Sequence, residues 1–175
     1  MAIKTIIEAP DERLKVVSTP VDIVNDEIRA IMDDMLETMY NAPGIGLAAV
    51  QVGIPKRIIV MDVGFKKEDV KNPMFFVNPE IKWTSEEWTV CEEGCLSVPN
   101  QFADIERPES CIVNYLDYQG QQKEVKFDDI LARCIQHEMD HLEGILFIDR
   151  LSIIKKNIIS RKLVKEKKRQ ERVVA

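Results

Sequence analysis

The spacing of apolar residues predicts a first helix in the N-terminal part of the chain. From Asp26 onward, apolar side chains recur at intervals of three and four residues, which places them on one face of a helix. This face comprises Ile28, Ile31, Met32, Met35, Leu36 and Met39. Asn25 or Asp26 can cap its N-terminus, and the segment Asn41–Gly44 interrupts the repeat. We therefore predict a helix from Asp26 to about Tyr40.

A second helix is predicted to begin at Asp128 or Asp129, since either residue is a suitable N-cap. It should end at Gly144, which can adopt the left-handed conformation that closes many helices. Four residues within it recur at spacings of four, three and four, and we expect this stripe to face the core. They are Ile130, Cys134, His137 and His141.

A third helix is predicted to start near Ser152. We expect four apolar residues to dock it on the rest of the protein. They are Ile154, Ile158, Ile159 and Leu163. After Val164 the chain is almost wholly polar, so its end is predicted to be solvated and frayed.

Runs of β-branched and aromatic residues predict strands in the middle of the chain. The candidates are Arg57–Val63, Phe75–Val77, Glu87–Cys91, Cys111–Leu116 and Glu124–Phe127. Residues Asp117–Gly120 form a hairpin-type turn between the last two candidates. At least part of the sheet should therefore be antiparallel.

Composition favours one soluble, cytoplasmic domain over residues 1–175. The chain is 45% hydrophobic and has four cysteines, too few for a disulfide scaffold. The N-terminus has no signal-peptide core, and no apolar run approaches the 18 or so residues of a membrane span. We expect a reducing cytosolic compartment and no membrane partner.

The net charge of −6 is unevenly distributed along the chain. Residues 152–175 carry nine Lys and Arg against two Glu, which makes this segment strongly basic and the remainder strongly acidic. A basic helix of this kind can be a solvated surface, or it can bind RNA or another anionic surface. Both interpretations remain open at this point.

The two histidines of the chain, His137 and His141, are four residues apart in the predicted second helix. Side chains with this spacing lie on one helical face, so both imidazoles can bind one cation. Glu138 follows the first histidine and is close enough to move protons for water at that cation. Because there is no third histidine, the next ligand must be of another type.

Three kinds of metal site are compatible with the histidine pair. A metzincin peptidase needs a third histidine where Phe147 stands, and would have to recruit a carboxylate instead. A structural site could add Cys91 and Cys95, but 41 residues separate Cys95 from His137, against about a dozen in finger modules. Such a closed site would leave Glu138 without a role. An open catalytic site with one cysteine and both histidines leaves a position for water.

Cys95 is the preferred cysteine ligand for the open site. Gly94 precedes it and permits a close approach of the backbone, and short apolar residues after it suit a strand edge. We interpret Cys111 and Cys134 as buried, inert thiols.

The glycine-rich segment Gly44–Ala49 has a superficial likeness to a dinucleotide fingerprint. That fingerprint requires a strand before it and a helix after it, whereas here a helix precedes and Pro55 follows. A close-packed loop is one remaining interpretation. In the other, an open backbone binds an extended peptide while Gln51 directs its side-chain amide at a developing oxyanion.

Three segments taken together resemble the peptide deformylase family. They are Gly44–Gln51, Glu93–Ser97 and Gln136–His141, and they occur in the expected order. Pro10–Leu14, Asn78-Pro79 and Arg107-Pro108 also match, so the resemblance covers nearly the whole chain.

The resemblance implies an α+β fold in which antiparallel β-sheets surround a central helix that carries the His-Glu-x-x-His motif, with a C-terminal helix in addition. It assigns Cys95, His137 and His141 to one divalent metal ion per chain. In this family the physiological ion is commonly Fe²⁺, while Zn²⁺, Ni²⁺ or Co²⁺ is also accommodated. Thiolate and imidazole ligands suit several of these ions.

The implied reaction is hydrolysis of the formyl group from formyl-Met nascent peptides, with release of formate. The resemblance assigns Glu138 as general base and then general acid, and the Gln51 amide and the Leu96 backbone N–H as oxyanion donors. It also implies an apolar methionine pocket. The pocket residues are Ile45, Gly46, Glu93, Gly94, Ile130 and Cys134. The chain departs from the family pattern at Phe102, where an arginine or tyrosine often rims the groove, and in a minor way at Val50.

The basic C-terminal helix resembles that of bacterial family members, where it is associated with docking on the ribosome near the nascent-chain exit. The resemblance therefore implies a ribosome partner and no DNA partner. A competing hypothesis is a metal-stabilised module that binds ribosomes or RNA without catalysis. In such a module Glu138 and Gln51 would have no task.

Overall fold

The computed structural model describes residues 1–64 and 70–174. Within these ranges the three predicted helices are present. Their bounds are Asp26–Asn41 for α1, Asp129–Leu142 for α2 and Ile153–Val174 for α3. Short 3₁₀ helices cover Glu12–Lys15, Ala49–Val52 and Phe147–Arg150. No helix in the described part of the chain is long and apolar enough to cross a membrane.

The ends of the first two helices follow the predicted capping residues. The Asn25 side chain accepts a hydrogen bond from the Ile28 N–H at 3.0 Å, so Asn25 is the N-cap of α1. Asp128 is the N-cap of α2, and Gly144 just beyond the helix has φ +72°. The left-handed backbone and the nearby Lys15 carbonyl leave no room for a side chain at Gly144.

Five antiparallel strands form the larger sheet, in the order β1-β2-β3-β6-β7. The strands are Gly46–Ala48 (β1), Ile58–Met61 (β2), Met74–Thr84 (β3), Ser110–Leu116 (β6) and Gln122–Asp128 (β7). The β6–β7 hairpin is confirmed, and β3 is much longer than predicted. Strand β1 lies at one edge, so part of the glycine-rich segment is a short strand and not only a loop.

A separate two-stranded sheet consists of β4 (Trp88–Cys95) and β5 (Val98–Pro108), paired antiparallel. The sequence analysis found the first half of β4 but missed β5. Its 11 residues carry several polar and charged side chains and a proline at position 99, so no apolar run marks the strand. Backbone pairing with β4 therefore stabilises β5, whose own sequence shows no strand pattern.

Alternate residues of β2 pack on opposite faces of the larger sheet. Ile59 and Met61 lie in the core beneath α2, whereas Ile58 and Val60 lie in the core beneath α1. All four side chains are fully buried. Burial on both faces explains why β2 is continuously apolar, and it places α1 and α2 on opposite sides of the sheet.

A third core lies between β5, the Phe147–Arg150 turn and α3. Ile159 and Leu163 of α3 are buried there, as predicted. Ile154 and Ile158 remain 74% and 47% exposed, so their predicted docking role is wrong. The predicted fraying after Val164 is wrong as well, because α3 remains helical to Val174. This helix docks on the protein through a narrow seam in its first half that contains Ile159 and Leu163.

Candidate active site

Helix α2 and the β4–β5 hairpin bring three possible metal ligands together. His137 and His141 lie on one face of α2, and Cys95 is the last residue of β4. Ligand atoms of the three residues all lie within 4.8 Å of one another. The Cys95 Sγ is 3.3 Å from the His141 Nε2. Cys91, the further ligand that a structural Cys2His2 site would require, is exposed and outside this group.

The ring nitrogens of both imidazoles are placed to bind one cation at this group. The His137 Nδ1 is 2.9 Å from the Glu93 Oε1, so its Nε2 is the ring nitrogen available for a ligand bond. Burial lowers the pKa of His141 well below its usual value, which keeps this imidazole neutral as metal binding requires. One sulfur and two nitrogen donors suit Zn²⁺, Fe²⁺, Co²⁺ or Ni²⁺.

Glu138 lies beside the ligand group and is only 4% exposed. Its Oε2 has no hydrogen-bond partner among the residues that the structure describes. Burial raises the pKa of Glu138 to about 7, with a smaller contribution from the Glu93 charge that the imidazole of His137 opposes. A carboxyl group that titrates near neutral pH can both accept and return a proton.

The Gln51 side chain is held by two hydrogen bonds in the site. Its Oε1 accepts from the Ala48 backbone N–H at 2.9 Å, and its Nε2 donates to the Ser97 Oγ at 2.9 Å. The same Nε2 lies 3.7 Å from the Cys95 Sγ, which directs the amide toward the ligand group. Leu96 follows Cys95 in the tight turn between β4 and β5, so its backbone N–H is one residue from that ligand.

These residues line a cleft of about 670 Å³. All six residues predicted for the methionine pocket contribute to its wall, namely Ile45, Gly46, Glu93, Gly94, Ile130 and Cys134. Burial raises the pKa of Cys134 well above its usual value, so the thiol is neutral and offers an apolar surface. Ile130 is 44% exposed at the rim, which corrects the prediction that it faces the core. Phe102 also lines the cleft and is 64% exposed.

Behind His137 lies a buried cluster of charged side chains, of which the sequence analysis assigned only Glu93 to the site. Glu93 accepts hydrogen bonds from Arg107 at 2.7 and 3.0 Å and from Arg133 at 2.6 Å. Arg107 also reaches Asp140, whose carboxylate binds Arg150. The sequence did carry signals for this cluster, since Arg107-Pro108 matched the family and the helical position of Asp140 in the histidine motif placed it near His137.

Glu93 therefore contacts a predicted ligand as well as lining the cleft. Burial alone would raise its pKa, but hydrogen bonds with His137 and Arg107 and the charge of Arg107 lower it to about 2. The carboxylate is ionised at neutral pH and accepts a hydrogen bond from the His137 Nδ1–H. Such a carboxylate–imidazole pair fixes the orientation of a metal-binding histidine.

A family model described as polypeptide deformylase matches residues 3–157. The chain belongs to the peptide deformylase family. A peptide deformylase from Pelagibacter ubique is 59% identical over 167 residues, which cover 95% of this chain and 96% of the relative. One from Rhizorhabdus wittichii is 53% identical over the full length of both chains.

Solved peptide deformylases share the fold of this chain. The Ehrlichia chaffeensis enzyme in complex with actinonin has a TM-score of 0.90 at 44% identity, covering 95% of this chain and 98% of the other. The Legionella pneumophila enzyme has a TM-score of 0.89 at 40% identity, covering 98% and 99%. The expected α+β fold with antiparallel sheets, a central motif-bearing helix and a C-terminal helix is therefore confirmed. Deformylases are metal-dependent hydrolases, in agreement with the ligand group found here.

Proposed function

We propose that this deformylase removes the formyl group from the N-terminal formylmethionine of newly synthesised peptides through the site formed by α2, β1 and the β4–β5 turn. The observation that carries the assignment is the position of Glu138. It is a buried carboxyl group beside the Cys95–His137–His141 group, in the wall of a cleft large enough for a methionine side chain. The non-catalytic alternative, a ribosome- or RNA-binding module, has no role for this arrangement.

Cys95, His137 and His141 would hold one divalent ion, for which we propose Fe²⁺ as the physiological metal and Zn²⁺, Ni²⁺ or Co²⁺ as substitutes. When bound, such an ion acts as a Lewis acid and lowers the pKa of water, so that hydroxide is available near neutral pH. Three protein ligands leave further positions open for water and substrate.

Glu138 moves the proton during hydrolysis. Its carboxylate accepts a proton from the attacking water as the new C–O bond forms at the formyl carbon. The same group then delivers that proton to the departing amine nitrogen as the C–N bond breaks, giving formate and a free methionine N-terminus. Its pKa of about 7 suits both transfers at neutral pH.

Gln51 and Leu96 stabilise the negative charge that develops on the formyl oxygen. The Gln51 Nε2 is positioned near Cys95 by its bonds to Ala48 and Ser97, and the Leu96 N–H follows the ligand directly. Because its hydrogen bonds already orient the Gln51 amide in the folded protein, this donor costs little reorganisation during the reaction. One donor of this type contributes about 3 to 4 kcal/mol to the transition state.

The cleft binds the methionine side chain and the start of the peptide. Ile45, Ile130 and the neutral Cys134 supply apolar contacts, and a flexible thioether fits such a slot. Gly46 begins the edge strand β1, whose outer backbone groups can pair with an extended peptide. Phe102, at the rim, would contact residues that follow the methionine.

The decisive test uses protein purified without oxygen and loaded with Fe²⁺ or Ni²⁺. A short formyl-Met peptide should release formate and free amine in equal amounts, with no internal cleavage. The matched unformylated peptide is the control and should be unchanged. Absence of turnover in a protein shown to hold one metal ion would overturn the catalytic assignment.

A second test separates chemistry from metal binding. The Glu138→Gln variant keeps the shape of the side chain but removes its proton-transfer group. We expect turnover to fall by about 10²- to 10⁴-fold, the range typical of general acid–base catalysis. Metal content should stay near one ion per chain. Near-normal turnover in this variant would refute the role assigned to Glu138.

The basic C-terminal helix α3 is proposed to contact the ribosome, near the source of the nascent chain. Its Lys and Arg residues are mostly exposed, and the helix extends well beyond the seam that docks it. Removing the chain after Val164 should weaken ribosome binding and leave turnover of a short peptide intact. Unchanged ribosome binding would remove this proposal.

We further propose that residues 1–175 form one domain with a cytoplasmic location. Residues 65–69 and 175 of that range lie outside the described part of the chain. Support for one domain comes from β5, which contributes to the core beneath α3 while its partner β4 ends in the ligand Cys95. A cytoplasmic location fits a substrate class that consists of newly made peptides. Fractionation of cells with an antibody against the chain would test it.

A further inference from the structure

A continuous series of charged contacts leads from the predicted ligand His137 to Arg150. The His137 Nδ1 is 2.9 Å from Glu93, and Glu93 is bound by Arg107 through two bonds of 2.7 and 3.0 Å. The remaining Arg107 nitrogen, Nη1, donates to the Asp140 Oδ2 at 2.9 Å. Arg150 then binds both oxygens of Asp140, at 2.7 and 2.6 Å.

Burial along this series is greatest at Arg107 and decreases from there to Arg150. The Arg107 and Glu93 side chains are 3% and 5% exposed, Asp140 is 12% exposed and Arg150 is 40% exposed. Two of the links are two-pronged arginine–carboxylate pairs, which restrict rotation as well as distance. Arg150 is therefore a partly exposed residue that can be substituted. Hydrogen bonds through Asp140 connect it to the buried Arg107.

The short 3₁₀ helix Phe147–Arg150 also contacts the same ligand directly. The Phe147 ring stacks on the His137 ring with centroids 6.2 Å apart and planes inclined by 26°. Phe147 is 1% exposed, and it begins the turn that Arg150 ends. The 3₁₀ helix is thus linked to His137 in two ways. Phe147 packs directly on the imidazole, and Arg150 is connected to it through the charged contacts.

The carboxylates in the cluster are outnumbered by arginines. Glu93 and Asp140 are contacted by Arg107, Arg133 and Arg150. The Asp140 carboxylate is held between Arg107 and Arg150. Without the Arg150 side chain, only one hydrogen bond, from Arg107, would restrain its rotation. A resulting movement of Arg107 would also move Glu93, since two buried hydrogen bonds join the guanidinium to that carboxylate.

We propose that Arg150 is a positioning residue for the metal ligand His137, acting through Asp140, Arg107 and Glu93. The inference rests on the metal centre of the proposed function. It gives Arg150, three residues before α3 begins, a role in the geometry of the metal site through intermediate residues. It also adds a role to the region around Phe147, where a metzincin would place a third histidine.

The test measures metal retention and ligand geometry in the Co²⁺-loaded protein. Arg150→Ala should lose metal to a chelator about 3- to 10-fold faster, a smaller effect than the 10- to 100-fold typical of a direct partner of a metal-bound histidine. Glu93→Gln removes the charge of that direct partner and one of the two oxygens that bind Arg107, so it should show the larger effect. The visible Co²⁺ absorption bands should shift in both variants, since they report the ligand arrangement. Turnover should fall through kcat with little change in KM.

A conservative variant separates charge from geometry. Arg150→Lys keeps the positive charge but lacks the planar fork that binds both Asp140 oxygens. Its metal-loss rate should lie between those of the wild type and Arg150→Ala. A rate equal to that of Arg150→Ala would still support a role for the two-pronged contact between Arg150 and Asp140. Wild-type rates in both variants would overturn the proposal.

Arg57 supplies a matched control on the same helix end. Its Nη1 binds the Glu143 Oε1 at 2.7 Å, an arginine–carboxylate pair at the C-cap of α2. In the described part of the chain, no side-chain hydrogen bond or ion pair joins this pair to the Glu93–Arg107–Asp140–Arg150 series. Arg57→Ala should leave metal loss and the Co²⁺ spectrum unchanged. An equal effect from Arg57→Ala would show that general loosening of α2 is responsible and would overturn the role of Arg150.

A double-variant cycle tests the route. If Arg150 acts through Asp140, adding Arg150→Ala to Asp140→Asn should produce less than the product of the two separate changes in metal loss. Full multiplicativity would exclude this route. These readouts need no turnover, so a protein that passes them but fails to release formate would count against the proposed function and not against this coupling.

Discussion

Gly46 and Glu138 lie so close together that a methyl group at Gly46 would come within 2.6 Å of the Glu138 Oε1. The same methyl group would lie 3.0 Å from the Cys134 Sγ. Real side-chain contacts do not reach the first distance, so the edge strand β1 can pass the buried carboxyl group only because it carries glycine there. A residue of the peptide-binding edge and the proposed proton-transfer group are thus sterically coupled.

Gly46→Ala should therefore displace Glu138. We expect kcat to fall at least about tenfold, since a misplacement of about 1 Å can cost roughly 10²-fold. Metal content should be preserved, because the atoms nearest to the added methyl group belong to Glu138 and Cys134 and not to the three ligands. Steady-state kinetics and metal analysis would check both outcomes.

Gly64→Ala is the matched control for that substitution. Among the described residues, the nearest atom to a methyl group there would be the Val70 backbone oxygen at 3.6 Å, an ordinary contact. Its kinetics should match the wild type. Equal losses in the two variants would show that glycine replacement in general, and not the contact with Glu138, reduces activity.

Gln51→Ala removes the side-chain donor proposed for the oxyanion. Turnover should fall by about 10²- to 10³-fold in kcat, the range typical of one such donor. Ser97→Ala keeps this donor and removes only the hydroxyl that accepts its 2.9 Å hydrogen bond, so its loss should be smaller. If the serine variant were the more damaged, Gln51 would be a structural residue and not an oxyanion donor.

The four cysteines should differ sharply in their reaction with an alkylating reagent at pH 8. Burial raises the pKa of Cys111 to about 11, so about one thiol in a thousand is the reactive thiolate at that pH. The buried Cys134 should be inert for the same reason, whereas the exposed Cys91 should react. Mass spectrometry of the labelled peptides would assign each site.

Metal removal extends this labelling experiment to Cys95. With a metal ion bound, its sulfur is a ligand and should be protected, and chelation should make it reactive. Denaturation serves as the control, because all four thiols should then react. Rapid labelling of Cys95 in the fully loaded protein would contradict its assignment as a ligand.

Phe76 should contribute strongly to stability. Its fully buried ring packs against Tyr115 and Phe127, with centroids 4.5 and 5.8 Å away. Phe76→Ala should reduce the free energy of unfolding by about 3 to 5 kcal/mol through lost burial and the cavity that remains. Urea denaturation would measure this change, with Phe102→Ala as the comparison.

The Phe102 ring is 64% exposed, so its removal should change stability by less than about 0.5 kcal/mol. Its effect should instead appear as altered preference among peptides that differ after the methionine. A large loss of stability in Phe102→Ala would mean that its contact with β4 at Gly94 matters more than its exposure indicates.

The local sequence pattern was sufficient to predict an element where residues close in sequence are also close in space. The helix α1 and its cap at Asn25, the β6–β7 hairpin and the His137–His141 pair all depend on separations of a few residues. Strand β5 was missed because its signal is its pairing with β4. The exposed Ile154 and Ile158 were misassigned because periodicity identifies a face but not whether another element covers it.

By itself, the sequence determined which residues can share a helix face, which turns can close, and, through three ordered motifs, the family and its chemistry. Only the tertiary structure decided that the Cys95 sulfur meets the two imidazoles, that Gln51 is held by Ser97, and that Arg107 carries contacts from Glu93 to Asp140. The reason is physical. Helix geometry sets distances between residues four apart, whereas these contacts join residues 14 to 46 positions apart and depend on sheet register and packing, which no local pattern encodes.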